Sequence, residues 1–182
     1  MLTTLLLLSL SQVDLSPSLE KGPLVLVEES KGKFASCSSI ILVDAPPEKV
    51  WDIVKAQDKF KDFVPKVVES TMKPQGTDYE VKFVVDVPGI DSEYSIRYTI
   101  DDATKTMSGA WAKGDLKGSR WHWKIESAPN NKTLLTHTLA VKNFSGIAQS
   151  LEDDNQTITV GVNVSAALAA TKAVKKRAES MK

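Results

Sequence analysis

The chain has 182 residues, of which 42% are hydrophobic and 25% charged. That is the size and composition of one globular domain, long enough to bury a core without a disulfide or metal staple. Its 23 basic and 23 acidic side chains cancel, which argues against steering by overall charge onto nucleic acid, and its single cysteine, Cys37, excludes an intrachain disulfide and Cys-rich zinc sites. With only His122 and His137 as histidines, no metal centre and no cofactor are expected.

Met1–Leu10 (MLTTLLLLSL) lacks a basic n-region and an Ala-x-Ala site, and it is too short to span a bilayer. It reads as an apolar segment packed on the domain, with a signal peptide or a remnant of a longer parent chain as alternatives. Asp14–Gly22 reads as a linker or short helix and Leu24–Val27 as a strand laid on the body. Residues 1–35 are set apart on this basis from a domain over 36–182. One cysteine and no convincing signal point to the cytoplasm.

Ser38–Val43 is a short apolar run that predicts a strand. Ala45-Pro46-Pro47-Glu48 then opens a helix over 47–56, with proline and an acid in the first turn and Val50, Ile53 and Val54 at helical spacing. Asp58–Phe63 predicts a second short helix, closed by Pro65. Strands are expected at Val67–Lys73, Asp78–Val87, Glu93–Ile100, Thr106–Lys113, Ser119–Ser127 and Thr133–Val141, with turn residues between them. In Glu93–Ile100 one face carries Tyr94, Ile96, Tyr98 and Ile100, and the other Ser95, Arg97 and Thr99. Ser119–Ser127 sets Trp121, Trp123 and Ile125 on one side and His122 on the other. Ser165–Lys182 is helical by composition, whereas Thr157–Val164 (TITVGVNV) has the local pattern of a strand.

The order of strand, two short helices, antiparallel strands and long C-terminal helix resembles the helix-grip fold of the START/SRPBCC superfamily. "APPEKVWDIV" followed by "FKDFVPKV", then "GDLKGSRWHW" and the Ala-rich helix, resemble its polyketide cyclase/dehydrase and coenzyme-Q-binding-protein branch over residues 36–180. The resemblance implies an α+β fold in which a curved antiparallel sheet wraps a long helix. It decides Thr157–Val164 in favour of helix, starting near residue 154. It also implies an apolar cavity for a hydrophobic small molecule, a lipid, quinone or polyketide-like compound, with Ala166, Ala169, Ala170 and Ala173 leaving room for it. Access would be gated by the loop Gly89–Ser92 and the start of the long helix.

The candidate ligand-binding residues are Tyr94, Arg97, Trp111, Trp121, Trp123 and His137. Arg97 points into the cavity if the aromatic face of its strand packs outward, and is a solvated strand residue otherwise. His137 lies in register with Leu135, Leu139 and Val141, as a general base, a polar tip in a pocket, or a satisfied core histidine. The tryptophans line a cavity or fill a core, and Trp51 is read as packing. No catalytic residue is assigned. Gly109, Gly114 and Gly118 are wrongly spaced for a dinucleotide fingerprint, and Asn-x-Ser/Thr matches such as those at Asn143 and Asn155 are short enough to occur by chance. Lys172, Lys175, Lys176 and Arg177 suit a helix C-terminus and offer a transient contact to anionic lipid headgroups. The first reading is a ligand carrier or chaperone. An aromatase/cyclase-type enzyme using Arg97 or His137, and a protein-interaction module, are the alternatives. Oligomeric state is open.

Overall fold

A computed structural model describes residues 16–87, 90–143 and 156–181. After a one-turn helix α1 (Ser16–Leu19), the chain forms β1 (Leu24–Ser30), β2 (Lys33–Val43), α2 (Pro47–Lys55) and a 3-10 helix (Gln57–Asp62). There follow β3 (Val67–Gln75), β4 (Asp78–Val87), β5 (Ile90–Asp101), β6 (Thr106–Gly114), β7 (Arg120–Ala128), β8 (Lys132–Ala140) and a 25-residue helix α3 (Gln156–Ser180). The strands make one antiparallel sheet in the order β1-β2-β8-β7-β6-β5-β4-β3. This is the helix-grip arrangement expected from the sequence. Its first strand lies upstream of residue 36, because Leu24–Ser30 pairs along β2 within the same sheet. The register is interrupted between Glu28 and Glu29 of β1 and between Val67 and Glu69 of β3.

One face of each central strand is buried. On β2 it is Cys37, Ser39, Ile41 and Val43; on β7, Trp121, Trp123 and Ile125; on β8, Thr133, Leu135, His137 and Leu139. Period-two alternation places these side chains on one side of the sheet. α2 presents Val50, Trp51, Ile53 and Val54 to the core, and packs on β7, β8 and α3. Trp51 is a packing residue, as expected. It is buried, its indole N–H donates to Asp102 Oδ1 at 2.7 Å, and Lys55 sits over its ring.

Residues 157–164 are helical despite their alternating β-branched pattern. The reason is tertiary. Thr159, Asn163, Ala167, Ala170, Thr171, Val174 and Ala178 recur at helical spacing and are all buried. Asn163 gives the clearest case. Its Oδ1 accepts the Val141 N–H at 2.7 Å, while its Nδ2 donates to the Val141 carbonyl at 3.1 Å and the Thr159 carbonyl at 2.9 Å. Further along, the Ser39 and Thr171 hydroxyls bond at 2.8 Å. α3 is long and apolar enough to cross a membrane by length and composition alone. Here its small and apolar residues meet the sheet on one side and wall a cavity on another. Asn163→Ala should cost about 2–3 kcal/mol in urea unfolding, since it strands both backbone polar groups of buried Val141. A loss under about 0.5 kcal/mol would show that water replaces the amide.

Candidate functional site

Between the concave face of the sheet and α3 lies a cavity of about 490 Å³. Its wall is apolar and aromatic, built from Phe60 of the 3-10 helix, Phe83 and Val85 of β4, Tyr94, Ile96 and Tyr98 of β5, Trp121 and Trp123 of β7, and His137 and Leu139 of β8. Leu116 and Val141 close one part, and α3 contributes Gly161, Val162, Ser165, Ala166, Ala169 and Ala170. Small side chains on the helix therefore face large rings on the sheet, and the space between them stays open. Ala173, expected to help leave that room, belongs to the packed core instead. Among the described residues of the lining, Pro65, Lys66, Gly161, Ser165 and Ala166 are exposed to solvent, and these rim the opening. Of the gate expected at Gly89–Ser92, residue 89 lies outside the described residues, while Ser92 is buried in the lining. Residue 154, the expected start of the long helix, and the apolar segment 1–10 also lie outside them.

The aromatic wall is ordered in two stacks. Tyr94 lies parallel to Trp121, with ring centroids 5.7 Å apart and an interplanar angle of 5°, and Phe83 follows at 5.8 Å from Tyr94. Trp123 and His137 face each other across the β7–β8 pair at 3.7 Å and 5°, and the edge of Phe60 meets Trp123 at 6.1 Å. Gly109 makes room for Tyr98 in the wall. A Cβ there would lie 2.5 Å from Cε1 of Tyr98, so only glycine lets that ring lie flat across β6.

His137 is the unusual member. It is 4% exposed, and among the described residues its two ring nitrogens are the only buried side-chain nitrogen or oxygen atoms without a partner. Burial, with a smaller push from His122, brings its pKa down to about 3, so the imidazole is neutral at physiological pH. Neutral imidazole keeps one donor and one acceptor. Both belong to a side chain of the cavity wall. Burial also raises the phenols of Tyr94 and Tyr98, so neither supplies a charge. His122, on the opposite sheet face, is half-buried and shares a 3.0 Å hydrogen bond with Ser108.

Four of the six candidate residues, Tyr94, Trp121, Trp123 and His137, thus meet at one cavity. Two do not. Arg97 is exposed on the outer face of β5, because the aromatic face of that strand turns inward. Trp111 is half-buried and absent from the wall, its indole N–H shared between the carbonyls of Gly114 at 3.1 Å and Asp115 at 2.9 Å. It braces the loop that carries Leu116. Phe60, Phe83, Tyr98 and Leu116 complete the wall beyond the six. The alternation of β4 and β5 already places Phe83 and Tyr98 on the face of Tyr94. Leu116 has φ +62° in a loop, where no periodicity marks it.

A family model described as polyketide cyclase / dehydrase and lipid transport matches residues 43–156, from the end of β2 to the start of α3. The chain belongs to this family. Solved structures of the same fold include the Zhui aromatase/cyclase from a Streptomyces species, with TM-score 0.67 and 18% identity over 80% of this chain and 93% of that one. A STAR-related lipid transfer protein from Xanthomonas axonopodis gives TM-score 0.67 at 11% identity, over 85% and 92% of the two chains. A START superfamily protein from Mycobacterium smegmatis gives 0.62 at 14%, over 81% and 99%. At these identities the likeness is one of fold. No curated protein sequence matches the chain at a significant level. Within the family frame, the match spans β3–β8 and the 3-10 helix, which supply most of the cavity wall.

Proposed function

We propose that this member of the polyketide cyclase / dehydrase and lipid transport family is a carrier or chaperone for a hydrophobic small molecule. The observation that carries the reading is the open space of about 490 Å³ walled by aromatic and aliphatic side chains. A volume of this size suits a ligand of several rings or a short lipid chain. Binding is driven by burial of apolar ligand surface at about 25 cal/mol per Å², less the ordering cost of association. The cyclase reading has less support. Arg97 is outside the cavity, and His137, with its pKa near 3, is a weak base at neutral pH. A protein-interaction module calls for a filled core in place of this cavity.

Native mass spectrometry of protein purified under mild conditions tests the reading. A discrete apolar adduct, or uptake of added lipid or quinone, is expected. Ala169→Phe, which places a ring in the space from a half-buried helix position, should reduce uptake at least about tenfold while leaving the thermal midpoint within a few degrees. Bare protein mass together with no uptake of any apolar probe would overturn the carrier reading.

A further inference from the structure

The remaining question is which ligand chemistry the cavity selects. This inference rests on the reading of the cavity as a ligand site. His137 is more than nine-tenths buried, forms part of the cavity wall, and leaves both ring nitrogens without a protein partner. Its orientation is held from one side by the face of Trp123 at 3.7 Å. A buried polar group without a partner is costly, and such groups in folded proteins are usually satisfied by something bound. An aliphatic or aromatic residue would make a better wall if the ligand were a pure hydrocarbon. The charge pattern narrows the choice further. Among the described lining residues Lys66 is the one charged side chain, and it is exposed at the rim. A carboxylate or phosphate carried to the depth of His137 would meet no cation, and its desolvation would go uncompensated.

We infer that His137 is the specificity-determining residue of the cavity, selecting ligands whose buried end carries an uncharged oxygen, a ketone, ester or hydroxyl, over both hydrocarbons and carboxylates. The ring nitrogens are themselves buried here, so the imidazole must turn toward the ligand; a ketone oxygen then accepts its N–H, and a hydroxyl can also donate to the bare ring nitrogen. Because the imidazole stays neutral, the anchor is a hydrogen bond and not an ion pair.

Three probes of one shape test this: 9-fluorenone, fluorene and fluorene-9-carboxylate, titrated at pH 7 by quenching of tryptophan fluorescence. The wild-type protein should bind fluorenone about five- to tenfold more tightly than fluorene, as one buried hydrogen bond implies, and the carboxylate more weakly than either. His137→Leu should bring the ratio of fluorenone to fluorene affinity down to about one, whatever change in affinity the two probes share. Equal weakening of both neutral probes would assign His137 to packing, and a carboxylate bound as tightly as the ketone would also overturn the inference. Should the variant fail to fold, infrared spectroscopy of fluorenone bound to the wild type decides. Its carbonyl stretch should fall below the position in hexane, and an unshifted band overturns the anchor. Saturable binding of the neutral probes without selectivity refutes this inference alone. No binding of any probe refutes the carrier reading with it.

Discussion

Trp123→Ala should lower the unfolding free energy by about 3–5 kcal/mol, the range for removing a large ring from a closed core. Trp123 is 1% exposed and touches three different parts of the wall. It stacks on His137 of β8, meets Phe60 of the 3-10 helix edge-on, and lies beside the phenol of Tyr98 of β5. Removing it joins its own volume to the existing cavity, so the surroundings have little to collapse onto. Chemical denaturation at pH 7 measures the effect. A loss below about 1 kcal/mol would mean that the stacks rearrange freely. Trp123→Phe should recover more than half of the loss, because it restores a ring between His137 and Phe60. Ligand uptake by that variant separates the role of the ring in the wall from its role in folding.

The second large effect is on pH. Unfolded, the imidazole of His137 binds a proton near pH 6.5; folded, its pKa lies near 3. Below pH 6.5 the unfolded state therefore holds more protons than the native state, and stability falls as pH falls. The fall runs at about 1.4 kcal/mol per pH unit until the folded pKa is approached. Between pH 6.5 and pH 5 it amounts to roughly 2 kcal/mol, before most carboxylates begin to titrate. Asp101, Asp102, Glu80 and Glu179 are held below their usual range and act in the same direction, but lower on the scale. His122 is also lowered, by burial and then by Lys124, so wild type alone does not isolate His137. The comparison with His137→Phe does. Urea unfolding at pH 7, 6 and 5 should show a shallower pH slope in the variant. At pH 7 the variant should be equal to wild type or more stable, since it removes an unpartnered polar group from the wall. Parallel slopes would place the folded pKa of His137 close to its ordinary value.

Much of the fold was legible because one face of each strand is buried. Alternation over Asp78–Val87 and Ser119–Ser127 reports that burial directly, and the strands fall within a few residues of expectation. Alternation does not say which face is inside. Tyr94 and Arg97 sit on opposite faces of β5, so one of them had to leave the cavity, and the side with four apolar residues turned inward. The N-terminal half of α3 is legible only through its partners. Asn163 earns its place by bonding Val141, 22 residues away, and nothing local to Thr157–Val164 reports that contact. Leu116 is the opposite case, a wall residue set by a left-handed loop position and a brace from Trp111.

The sheet is open, and its two ends would be templates for pairing with another chain if they were regular. β1 carries Glu28 and Glu29 at the step in its register, and most of its length faces solvent. β3 begins with a second step and carries Lys73 and Pro74 near its end, the latter lacking an amide hydrogen to offer. These two irregularities interrupt the runs of amides that an incoming strand would need. A sheet that wraps an open apolar cavity is in this way protected at its margins against growing into a fibre.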